Sequence, residues 1–184
     1  MIKKLTLLLF LATIANAKPH PFDLNIDKIY TSPPVLPGYS VWKGNVKAGL
    51  VYLREKDTQL DYEVEIHIYL RSGKINKLIF IFGPSGIENT NCIRFYKDVV
   101  ASLRKKYGNY TNTREVRDPI LDDLVLGTKC THVRMGAYSL EVTWLSTGRV
   151  IRAYLFGDDS GIYVEIEYSF GSPNRGKHPA FRDF

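Results

Sequence analysis

The chain has 184 residues, 45% of them hydrophobic, with 25 lysines and arginines against 19 aspartates and glutamates. That apolar content excludes a disordered chain, and the length suits one domain with its own core. A formal net charge of +6, two charges of which belong to Lys3 and Lys4, is too slight to mark a nucleic-acid binder, so no nucleic-acid partner is expected.

The first 17 residues, "MIKKLTLLLFLATIANA", place two lysines before an apolar stretch from Leu5 to Ile14 and end on small residues. This is the pattern of a signal peptide cut after Ala17. The apolar stretch is about half of the ~20 residues that span a bilayer, and no cysteine follows the cut to carry a lipid. The chain is therefore expected to be exported, to the periplasm or beyond, with no transmembrane segment left after cleavage. The short, lysine-led leader is of bacterial type.

Residues 18–45 contain Pro19, Pro21, Pro33, Pro34 and Pro37, which remove backbone donors and fix φ, so an extended arm is expected there. The domain proper is read as residues 46–170. Its first strand patterns are "VKAGLVYLRE" and "LDYEVEIHIYL". In the latter, Val64, Ile66, Ile68 and Leu70 alternate with Glu63, Glu65, His67 and Tyr69. A turn at Ser72 and Gly73 leads into "KINKLIFIFG", apolar on both faces from Leu78 to Phe82, as in a central strand covered on both sides.

"NCIRFYKDVVASLRKKYG" follows, from Asn91 to Gly108. At 100° per residue Cys92, Tyr96, Val99 and Leu103 fall with their apolar neighbours in a sector of roughly 160°, which predicts an amphipathic helix. Asn89, Thr90 or Asn91 suits its start, Arg104, Lys105 and Lys106 its negative end, and Gly108 its C′ position. A long connection, Asn109 to Lys129, precedes strand-like runs at "CTHVRM", "YSLEVTWL", "RVIRAYLF" and "IYVEIEYSF". Residues 171–184 read as a flexible tail. "YEVEIHIYLRSGKINKLIFIFG" and "YSLEVTWLSTGRVIRAYLFG" echo each other, as two similar hairpins would, whether by duplication or by shared hairpin chemistry. The order β-β-β-α-β-β-β-β predicts an α+β domain: a largely antiparallel sheet with one main amphipathic helix packed on one face.

Cys92 and Cys130, the two cysteines of the chain, are expected to form a disulfide, because an exporting compartment oxidises paired thiols. A nucleophilic Cys92 would need a positioned base that no local motif supplies. Neither a CxxC nor a Cys/His cluster at ligand spacing is present, so no metal and no cofactor are expected.

The strand face turned away from the helix is the candidate site. Alternation assigns Glu63, Glu65, His67 and Tyr69 to it, joined by Glu141, Glu165 and Glu167 if the strand registers agree. Such an acidic face would dock a protein partner carrying positive charge, with tyrosines as anchors. The function expected is binding rather than catalysis: an inhibitor or immunity partner of an envelope-targeting toxin, or an envelope accessory protein. The alternative is a cell-wall or glycan hydrolase using strand-face carboxylates, which would need two at a set separation with one pKa raised.

Overall fold

Period-2 alternation dictates most of the architecture. A computed structural model of the chain describes residues 24, 28–55, 64–83, 87, 91–120, 127–146 and 148–170. The expected signal peptide, the tail 171–184 and Glu63 lie outside the described residues. Strands β1 (Tyr39–Asn45), β2 (Leu50–Glu55), β3 (Val64–Arg71) and β4 (Lys74–Phe82) precede helix α1 (Cys92–Tyr107). Strand β5 (Asn112–Arg117), helix α2 (Lys129–Arg134) and strands β6 (Tyr138–Ser146), β7 (Arg149–Asp158) and β8 (Gly161–Phe170) follow. All pairings are antiparallel, and the sheet reads β1-β2-β3-β4-β8-β7-β6-β5. This is the expected α+β domain, built as two four-stranded meanders joined through β4 and β8.

Three elements differ from the sequence reading. The stretch read as an arm ends in a strand, β1, which begins two residues after Pro37 and occupies a sheet edge where proline costs least. The long connection hides β5, an exposed edge strand whose "NTREVR" has no apolar face to announce it. "CTHVRM" is largely helix α2 and not a strand: Thr128 caps it by accepting from the Thr131 amide, and six residues are too few to display a 3.6 period.

Val64, Ile66, Ile68 and Leu70 of β3 are buried on one face. Register extends that face to Phe80 of β4, Ile166 of β8, Ala153 of β7 and Val142 of β6. Helix α1 lays Cys92, Tyr96, Val99 and Leu103 against it, one residue every helical turn, each apolar side chain contributing about 1.5–3 kcal/mol by leaving water. The Tyr96 hydroxyl donates to the Ala153 carbonyl at 3.2 Å, and the Trp144 indole N–H donates to the carbonyl of Gly108, the glycine that closes α1. Helix α2 sits closer still. A Cβ on Gly157 of β7 would lie 2.3 Å from the Val133 carbonyl oxygen, so only glycine admits the helix backbone at that point.

Cys92 and Cys130 are bonded, with Cα atoms 5.9 Å apart. Because Cys130 lies in α2, the bond ties helix to helix and not helix to the strand expected at "CTHVRM". The β3–β4 turn has two residues, Ser72 and Gly73, both with positive φ (52° and 76°), the turn whose twist matches that of the strands it joins. The echoing hairpins are β3–β4 and β6–β7, yet the counterpart of β3–β4 in the paired meanders is β7–β8. The echo therefore does not follow the correspondence between the two meanders.

Candidate functional site

No described helix packs on the other face of the sheet, and the same registers set its side chains in rows. One row runs Arg54, Glu65, Ile81, Glu165, Tyr154 and Glu141 across six strands. The next runs Tyr52, His67, Ile79, Glu167, Arg152 and Thr143, with Lys43 of β1 opposite Tyr52. A third holds Tyr69, Lys77, Ser169 and Val150. The sheet thus brings together every described residue that alternation assigned to this face: Glu65, His67, Tyr69, Glu141, Glu165 and Glu167.

Their surroundings differ from the acidic face expected. In the same rows the register sets Arg54, Lys77, Arg152, Lys43 and Arg114, five bases against four carboxylates. Glu167, with 5% of its side chain exposed, accepts from Lys77 at 2.9 Å, Arg152 at 3.2 Å and Ser169 at 2.7 Å. Arg152 reaches on to Glu141 at 3.8 Å, and Thr143 donates to that same carboxylate at 3.1 Å. A charged chain therefore crosses β4, β8, β7 and β6, each acid held by a base. Burial pushes the Glu167 pKa up, but hydrogen bonds from Lys77 and Ser169 and the charges of Lys77 and Arg152 outweigh it and leave the carboxyl below its ordinary value. Beside it, burial raises the Tyr154 phenol well above its ordinary value, so Tyr154 stays protonated.

The β1–β3 side of the face is more open. Glu65 accepts from Arg54 and lies 3.3 Å from the His67 ring nitrogen. Burial raises its pKa, and those two partners together bring it below the usual carboxylate range. Tyr52 stands edge-on to His67 with ring centroids 4.6 Å apart, and Trp42 lies 5.9 Å from Tyr52. Arg54 covers the Trp42 ring at 4.6 Å, and Lys43 reaches both Trp42 and Tyr52. Trp42 projects here because a bulge between Val41 and Lys43 shifts the β1 register, and it remains 46% exposed.

Sequence reasoning missed Trp42, Tyr52, Arg54, Lys77 and Arg152. Tyr52 and Arg54 were accessible to it: in "LVYLRE" they alternate with buried Val51 and Leu53. Nothing in the sequence signals the bulge that turns Trp42, or which acid each base meets. Among the described residues no group of three His, Cys, Asp or Glu could hold a metal ion, and no helix is long and apolar enough to cross a membrane. No family model, no curated protein and no solved structure matches the chain.

Proposed function

We propose that the chain is an exported bacterial protein that acts by binding a protein partner through the helix-free face of its sheet, centred on Trp42, Tyr52, Glu65 and His67. One observation carries this reading. A half-exposed tryptophan on an edge strand is braced by Arg54 and Tyr52 beside a solvent-reaching Glu65–His67 pair. Braced aromatics next to charge are the composition of interface hot spots, because little side-chain entropy remains to be lost on association. Glu141, Glu165 and Glu167 support the face from within, and Glu65 offers the carboxylate that a partner's lysine or arginine can share with Arg54. The leader pattern and the Cys92–Cys130 bond support export. An inhibitor or immunity partner of an envelope-targeting toxin, or an envelope accessory protein, is the role such a surface suits.

The hydrolase reading is weaker on chemical grounds. A general acid needs a raised pKa, whereas Glu65 and Glu167 are both held low by their bases. The test is affinity capture from periplasmic extract followed by reconstitution of a stoichiometric complex from purified components. Trp42→Ala and Glu65→Gln should each abolish the complex while circular dichroism shows both variants folded. A complex that survives both substitutions refutes the assignment of the face, and turnover of peptidoglycan by the purified chain refutes the binding role.

A further inference from the structure

One end of the sheet concentrates positive charge. Lys47 sits in the β1–β2 turn, Arg71 and Lys74 flank the β3–β4 turn, and Lys28 precedes the Tyr30 amide that donates to the Gly73 carbonyl at 2.9 Å. Helix α1 runs toward this same end: its last turn carries Arg104, Lys105 and Lys106, and the charge of Arg149, at the start of β7, acts on Lys106. The described segments that build the end, 28–31, 45–50, 70–77, 104–112 and 148–150, contain no aspartate or glutamate. The rings of Tyr30, Tyr107 and Phe170 instead lie under Lys28, Lys106 and Arg149 at 5.3–5.7 Å. The opposite end mixes signs: Arg117, Lys129 and Arg134 share it with Asp118 after β5, Asp158 at the end of β7 and Asp159 in the turn that follows.

Large apolar side chains project at the basic end as well. Ile29 is 63% exposed, Leu145 59% and Tyr110 42%. Ile29, Tyr30, Val46 and Leu70 also line an open cleft that the two turns and the 29–31 segment form together. Cations ringed with exposed apolar tips match an anionic lipid surface: the cations meet phosphates while the tips enter the headgroup layer. A soluble polyanion would use the cations and leave the tips without a role.

We propose that this end of the sheet is a docking site for an anionic phospholipid membrane, which would hold the sheet end-on to the lipid and leave the helix-free face open to a partner. The proposal does not depend on what that face binds.

The test is co-sedimentation of the exported chain, recovered from cells expressing the full sequence, with phosphatidylcholine vesicles that contain one-third phosphatidylglycerol or none. Binding is expected only with phosphatidylglycerol and should fall as salt rises. Lys47→Gln, Arg71→Gln and Lys74→Gln together should weaken it about 100-fold, since each surface cation contributes roughly a fivefold factor. Arg117→Gln, Lys129→Gln and Arg134→Gln remove the same charge from the other end and should change it little. Ile29→Ser with Leu145→Ser should lower vesicle binding several-fold and leave retention on heparin unchanged. All of these sites are at the surface, and circular dichroism confirms that each variant is folded. Equal losses in the two triple variants, equal binding to uncharged vesicles, or retention on heparin without vesicle binding would each overturn the proposal.

Discussion

The two faces of the central strands are sealed by opposite chemistry. On one, Ile66, Phe80, Ile166, Ala153 and Val142 lie in a row under the helices. One residue further along the same strands, the other face presents His67, Ile79, Glu167, Arg152 and Thr143. Phe80 and Glu167 are almost equally buried, at 3% and 4% exposure. The apolar face is held by area and volume, which pH and salt barely touch. The polar face is held by pairing, so its contribution depends on the charge state of every member. Burial alone therefore does not say how a residue of this sheet supports the fold.

The comparison can be broken first on the apolar side. Phe80→Ala removes a ring that packs edge-on to Tyr168, with centroids 5.8 Å apart, and leaves a cavity beneath α1. A loss of about 3–5 kcal/mol is expected. It should appear as a lower midpoint in urea at every pH between 4 and 8, because no titrating group is involved; a loss confined to acid would show the face to be misassigned.

Next comes the staple on the same face. Cys92→Ser opens a loop that spans 38 residues of sequence, and a loss of up to about 4 kcal/mol is expected. Cys92→Ser with Cys130→Ser should lose nearly as much as the single change, since either opens the same loop. Thermal melts of the single and double variants check this. Two free thiols in protein recovered from an oxidising compartment would instead mean that the bond does not form.

How much of this was legible differs between the faces. The apolar face was readable because Val64, Ile66, Ile68 and Leu70, and Cys92, Tyr96, Val99 and Leu103, repeat at the periods of strand and helix. The disulfide was readable because two cysteines in a chain leave one possible pairing. On the polar face only membership was readable. Alternation assigned Glu65, Glu141 and Glu167 correctly to one side of their strands, but that Arg152 falls between Glu141 and Glu167 is a fact of register. Register depends on which strands become neighbours, and the β4–β8 pairing closes over more than 80 residues of intervening chain, which no local pattern encodes. Strands β1 and β5 escaped for a related reason: both are edges, and an edge strand needs no apolar face.

A smaller and pH-dependent effect is expected from Glu167→Gln, which leaves Lys77 and Arg152 without the carboxylate they share. Charge-assisted hydrogen bonds of this kind are worth about 2 kcal/mol. The folded-state pKa of Glu167 lies below the ordinary value, which is about 4.3 in an unfolded chain. Its contribution is therefore complete above that value and is lost as pH falls through the folded pKa. The gap between wild type and Glu167→Gln should be constant from neutral pH down to about pH 5 and then close in acid. A gap that widens in acid would mean that Glu167 is protonated in the folded protein and that Lys77 and Arg152 serve another group.

The smallest expected effect on stability sharpens the comparison most. Trp42 stands on the polar face and packs on Tyr52 and under Arg54, yet it is 46% exposed on an edge strand where a bulge already interrupts the ladder. Truncating it opens no cavity, because solvent already reaches the ring. Arg54 keeps its bond to Glu65, a surface pair worth at most about 1 kcal/mol. Trp42→Ala should therefore shift the unfolding free energy by about 1 kcal/mol in chemical denaturation, the worth of an exposed cation–π contact. A residue that matters little to the fold yet keeps part of its ring in solvent is what the proposed docking role requires, since that exposed area would leave water only in a complex. A loss above 2 kcal/mol would instead make Trp42 part of the packing of the edge, and the docking surface would have to be sought elsewhere on the face.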